Sequence, residues 1–309
     1  MIAAQDIRGG LAVVHRRLRG QPGVLSVGMG EHPENGRYCI VVCLNAAAGA
    51  ETDKLPEHVA IAGARVPVRT SLLSSEALVL ANDVLDGSDL LLASGVGRFG
   101  TLGLVMRDAG TNTLFGITNA HVVTRPDENH VGDRVRAVIG GSEHEIGRVA
   151  YHAAYRTAGV NAPDLALIEL NATGAAHAAE FRVQTFPGLV VGSGTLSFSR
   201  FAGARRPHGY GASTHSARHI VACSDPVEHP LIDLRDSSGH LLRFGRAFTL
   251  TASDGGVRPG HSGALIVREK ANQDLIAVGL LAGGAGGTAV AFSMADVLRE
   301  ISKTGVVLA

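Results

Sequence analysis

Three side chains in this 309-residue chain could together make and break an acyl bond: His121, Asp164 and Ser262. A serine hydroxyl is a poor nucleophile until an imidazole takes its proton, and the imidazole needs a carboxylate to set its tautomer and stabilise its charged form. Their surroundings are Thr118-Asn119-Ala120-His121-Val122-Val123, Pro163-Asp164-Leu165-Ala166-Leu167-Ile168 and Pro259-Gly260-His261-Ser262-Gly263-Ala264. Taken alone, each residue has an ordinary explanation: a serine between glycines suits a turn, an Asp after Pro suits the start of a strand, and a single His is more often an interior residue than a base. Together, in the order His, Asp, Ser, they read as an acyl-transfer site. The string around Ser262 also suggests the nucleophile elbow of an α/β-hydrolase, but that fold needs a histidine after the serine. None follows Ser262, because His261 is the last histidine of the chain.

On these strings the chain resembles the trypsin/chymotrypsin-like serine proteases, from about residue 90 to the end. Small Ala120 stands before His121, Asp164 opens an apolar run, and Gly260-His261-Ser262-Gly263-Ala264 keeps the frame of the family's Gly-Asp-Ser-Gly-Gly with two departures. The resemblance implies a serine endopeptidase. Ser262 would attack the peptide carbonyl, His121 would relay its proton to the leaving amine, and Asp164 would orient His121. The backbone N–H groups of Gly260 and Ser262 would form the oxyanion hole. His261 stands where the pancreatic enzymes carry the Asp that pairs with a new amino terminus, which argues against that route of activation. The implied pocket has Gly256 at its floor and Ala282, Gly283 and Gly284 along its wall. An Arg/Lys-selective pocket would place Asp at 256, so trypsin-like preference is not implied. Ala282 replaces a family serine that helps hold the Asp.

The elements that must position these residues are mostly strands. Leu114 to Val123 reads as a strand running into a short helix, and Gly100 to Met106 with Leu114 to Ile117 reads as a hairpin around Asp108–Asn112. Leu275 to Phe292 carries no charge for a membrane-helix length, yet its clustered glycines favour two strands and a turn. Ser293 is a suitable N-cap for a closing helix. These readings give a mainly β fold, and the resemblance implies a chymotrypsin-like double β-barrel spanning 86–309, with barrel one at about 95–191, barrel two at about 195–292 and a helix at 293–302.

Ahead of it, residues 1–85 read as a small α/β domain. Ile7, Leu11, Val14 and Leu18 have helical spacing, and Val24 to Met29 and Tyr38 to Leu44 flank the hairpin turn Pro33-Glu34-Asn35-Gly36. Val66 to Arg69 is a further strand candidate. This segment is either a packing appendage or a docking surface for a regulatory protein.

Composition narrows the partners. Acidic and basic residues balance at 28 each, so neither nucleic acid nor a membrane is an expected partner; a protein or peptide substrate is. Cys39, Cys43 and Cys223 are too few for a disulfide framework and fit a reducing compartment. Asp6, Arg8, Arg16, Arg17 and Arg19 interrupt any apolar leader, so a cytoplasmic location is expected. His215, His219 and Cys223 bear zinc-capable groups but lack a fourth ligand at a defined spacing, so no metal and no cofactor are expected. The Arg-rich stretch Arg200 to His219 reads as a solvated loop. The alternative to an endopeptidase is a protease-fold binding or scaffold protein, weak or inactive in catalysis, which His261, Ala264 and Ala282 motivate.

Overall fold

In the computed structural model the described residues are 3–45, 55–73, 79–80, 91–93, 99–139, 142–177, 208–211, 219–252, 257, 260–269 and 275–307. The chain begins with α1 (Ala4–Leu18), whose Ile7, Leu11, Val14 and Leu18 are buried as their spacing requires. The Asn35-Gly36 turn then joins β1 (Val24–Glu31) to β2 (Tyr38–Asn45) antiparallel, with Gly36 at φ +62°. Asn and Gly tolerate this left-handed backbone, which is why that dipeptide marks tight turns. Cys39 and Cys43 lie on one face of β2 and are buried in the same apolar cluster. β3 (His58–Ile61) and β4 (Ala64–Leu73) form a second hairpin, with β4 parallel to β2. The two-residue strand β5 (Val79–Leu80) follows.

The next seven strands make one sheet: β6 (Leu91–Ala93), β7 (Phe99–Gly100), β8 (Leu104–Arg107), β9 (Leu114–Thr118), β10 (Arg134–Ile139), β11 (Ser142–His152) and β12 (Ala166–Leu170), in the order β7-β6-β10-β11-β12-β9-β8. Its two end strands, β7 and β8, are joined in the chain by only Thr101–Gly103. So short a link spans at most about 14 Å, which obliges the sheet to roll until its edges approach. Val122, Val135, Ile146, Val149 and Ile168 pack in its core. Two short helices attach to it, α2 (Ala120–Val123) and α3 (Ala172–Ala176).

The last six strands close on themselves. They are β13 (His208–Gly211), β14 (His219–Arg235), β15 (Leu241–Ala252), β16 (Leu265–Glu269), β17 (Leu275–Ala285) and β18 (Thr288–Ser293). β13 pairs with both β14 and β16, completing the ring β13-β16-β17-β18-β15-β14. The uncharged stretch after residue 274 is the β17–β18 hairpin, turning at Gly286–Gly287. α4 (Met294–Ser302) follows, and Ser293 caps it by accepting a hydrogen bond from the Asp296 N–H at 3.1 Å. Mainly β with a chymotrypsin-like arrangement and a C-terminal helix is thus the fold observed. Among the described residues, no helix is long and apolar enough to cross a membrane.

The N-terminal strands extend the closed barrel's sheet. β1 pairs with β14 at Met29 and Glu228, so the order continues β14-β1-β2-β4-β3. The approach is close: a Cβ on Gly28 would lie 2.6 Å from the Glu228 carbonyl oxygen. α1 covers this junction, and Ile7, Leu11 and Leu18 share one apolar cluster with Met29, Phe248, Leu250 and Ile266. Arg8 Nε pairs with Glu228 across it at 2.7 Å, and Arg19 pairs with Asp233.

His229 is fully buried at this junction, with Nε2 2.8 Å from Thr249 Oγ1. Burial, and next the nearby His15, push its pKa down to about 3. Between that value and the ordinary 6.5, the unfolded chain binds the proton and the folded chain does not. This group's contribution is therefore intact above pH 6.5 and is lost as pH falls, at about 1.4 kcal/mol per pH unit down to roughly pH 3. His229→Gln is expected to flatten the dependence of the urea midpoint on pH between 6.5 and 4.

Candidate active site

His121 sits in the single turn of α2, directly after β9 ends at Thr118. Asp164 precedes β12, which pairs with β9 in a register that sets Ala166 opposite Thr118. That pairing carries the carboxylate to the imidazole. His121 Nδ1 bonds Asp164 Oδ2, and the His121 backbone N–H donates to Asp164 Oδ1 at 3.1 Å. Asn119 Nδ2 adds a bond to the Asp164 carbonyl oxygen at 2.7 Å. A buried carboxylate is costly unless its oxygens are hydrogen-bonded. Here both oxygens are used, and both are held by His121.

Ser262 comes from the other barrel, on the turn before β16. Gly260 and Gly263 adopt φ of +86° and +93°, and the Ala264 N–H closes the turn on the His261 carbonyl at 3.0 Å. Ser262 Oγ lies 2.7 Å from His121 Nε2 and 2.9 Å from the Ala282 carbonyl oxygen. The hydroxyl has one proton and two acceptors. His121 and Ser262 are both completely buried, and Asp164 is 1% exposed. Chemically, the arrangement is a hydroxyl in line with an imidazole whose far nitrogen is held by a carboxylate.

A further residue ties the two halves together. The Thr101 N–H donates to the Ser262 carbonyl at 2.6 Å, and Thr101 Oγ1 donates to the Gly260 carbonyl at 2.7 Å. Thr118 Oγ1 in turn donates to the Thr101 carbonyl at 2.8 Å. With their carbonyls so engaged, the N–H groups of Gly260 and Ser262 donate to no acceptor among the described residues.

The structure thus brings His121, Asp164, Ser262, Gly260 and Ala282 together, with Gly283 and Gly284 following Ala282 in β17. Gly256 lies outside the described residues, as does the Arg200 to His219 loop apart from the backbone of 208–211 and 219. Sequence reasoning missed Asn119 and Thr101. Asn119 was visible, two positions before His121, but its contact to Asp164 depends on the β9–β12 register. Thr101 had no local signal, since its partners are some 160 residues away in the chain.

No family model and no curated protein matches the chain. Solved structures do. The active form of the Rv3671c protease from M. tuberculosis is 17% identical, covers 72% of this chain and 82% of its own, and has a TM-score of 0.38. The Nocardiopsis protease NAPase is 14% identical over 70% of this chain and 96% of its own, at a TM-score of 0.41. A human astrovirus serine protease is also 14% identical, over 69% and 93%, at 0.33.

The turn that carries Ser262 has no room for a side chain at 263. A Cβ there would meet the Thr101 carbonyl oxygen at 2.1 Å and Thr118 Oγ1 at 2.5 Å, in a left-handed conformation besides. Gly263→Ala is expected to destabilise the fold by about 1–3 kcal/mol, read as a lowered denaturant midpoint at unchanged m-value.

Proposed function

We propose that the chain is a serine endopeptidase acting through an acyl-enzyme. The observation that carries the reading is the continuous path Ser262 Oγ, His121 Nε2, His121 Nδ1, Asp164 Oδ2, assembled from both barrels. Ser262 Oγ attacks the substrate carbonyl carbon while its proton passes to His121 Nε2. Asp164 holds Nδ1–H and stabilises the imidazolium that forms. The negative oxygen of the tetrahedral intermediate takes the N–H groups of Gly260 and Ser262, which have no other acceptor among the described residues. The proton then leaves with the amine, and water attacks the ester by the same route in reverse. In this reading the enzyme works in the cytoplasm on protein or peptide substrates, and the 1–85 segment receives a regulatory protein.

The alternative, a protease-fold binding protein, draws on a specific contact. Ser262 is fully buried, and its hydroxyl lies within reach of the Ala282 carbonyl as well as the imidazole. A proton given to Ala282 is not given to His121.

A fluorophosphonate probe separates the two. Wild-type protein is expected to be labelled covalently at neutral pH and Ser262→Ala not at all. Equal labelling of the two, with both folded, would exclude the hydrolase. If the hydrolase reading holds, Asp164→Asn, which leaves the geometry but presents the wrong tautomer, is expected to slow peptide hydrolysis by on the order of 10⁴-fold.

A further inference from the structure

The strand that ends beside Ser262 has a free edge, and the chain itself fills it. Ala282 accepts from Ser262 Oγ, and the next two residues of β17, Gly283 and Gly284, pair on one side with Val290 and Ala289 of β18. On the other side, β16 and the Ser262 turn pair with β17 as far as Leu281, where the Gly263 N–H donates to the Leu281 carbonyl and the Leu281 N–H to the Ala264 carbonyl, both at 2.8 Å. An unpaired edge of this kind is a ready template for an extended peptide, whose backbone would add as a further strand. Such a peptide, lying antiparallel along Gly284 and Gly283, would be directed toward Ala282 and Ser262. That position is taken: β5 runs antiparallel there, with Val79 opposite Gly284 and Leu80 opposite Gly283. β5 also touches the end of β14, where Val79 lies parallel to Arg235.

We propose that β5 is a tethered strand occupying the peptide-docking edge of β17, and that an extended peptide binds beside Ser262 only by displacing it. The inference rests on the hydrolase reading for what the edge serves, and it adds what governs access. Two points set the competition for the edge. Among the described residues, β5 pairs with β17 at two positions and with β14 at one. It is also part of the same chain, so its effective concentration at the edge is high, in the millimolar range for a short tether, and a free peptide must compete with that. Occupancy of the edge and complete burial of Ser262 then describe one closed state.

The test uses the full chain carrying Ser262→Ala, so that bound peptide is not cut. The probe is a fluorescent peptide with the sequence of residues 76–82, Glu-Ala-Leu-Val-Leu-Ala-Asn, read by anisotropy. Adding Leu80→Pro, which removes one backbone N–H from β5 and fixes its φ, is expected to tighten peptide binding at least fivefold. Unchanged or weaker binding overturns the proposal. Should that variant not fold, a second chain with a sequence-specific protease site replacing residues 84–88 is cut after folding; the same tightening is expected, and its absence counts equally against the proposal. Fluorophosphonate labelling in the Ser262 background distinguishes the two readings. Tighter peptide binding without any labelling removes the hydrolase and keeps the tethered strand; normal labelling with unchanged peptide binding removes the tethered strand alone.

Discussion

The hydrogen bonds from Thr101 to the Ser262 turn hold the site in being. The Thr101 N–H reaches the Ser262 carbonyl and its hydroxyl reaches the Gly260 carbonyl, while Thr118 fixes the Thr101 carbonyl in turn. Each bond contributes only about 1 kcal/mol net, but all are buried, and a buried polar group stripped of its partner costs about 1–3 kcal/mol. They matter because the seven-stranded sheet supplies His121 and Asp164 and the closed barrel supplies Ser262. Without a fixed contact between the two, the imidazole and the hydroxyl would have no reason to stay within 2.7 Å. Gly263 makes that contact geometrically possible, since the Thr101 carbonyl occupies the space a side chain would need.

The same barrel is bound on its other flank to the N-terminal segment. β1 adds to β14 at a spacing that only Gly28 permits, and α1 buries its apolar face in a cluster shared with β15, β16 and β17. β17 therefore has one end in this common core and the other beside Ser262. The strand that lines the site, the strand that fills its edge and the segment that precedes the site are mechanically one system. His229 and Glu228 lie in the seam, so a change there is felt by the barrel and not only by the leading segment.

Much of this was legible in local pattern. Helical spacing placed α1, the Asn35-Gly36 turn placed the first hairpin, clustered glycines turned an uncharged stretch into β17 and β18, and Ser293 marked the start of α4. These signals are local because they arise from backbone conformation and from side-chain period within one element. β3 was missed, since its four residues pair only with β4, which itself was read short. β5 was missed for a similar reason: its described residues are defined by pairing with β17 and β14, strands some 150 to 200 positions further on.

The residue types at 121, 164 and 262, with their neighbours, pointed by themselves to the chemistry proposed for this chain, because an acyl-transfer group needs a hydroxyl, an imidazole and a carboxylate whatever the fold. They also set the chain order His, Asp, Ser. Tertiary structure alone decided what surrounds that group: that Asn119 and the His121 backbone hold Asp164, that Thr101 ties the Ser262 turn to the opposite barrel, and that Val79 and Leu80 lie along Gly283 and Gly284. These contacts join residues 43 to about 200 positions apart. No local pattern encodes them, since the sheets must register and dock before any of these partners can meet.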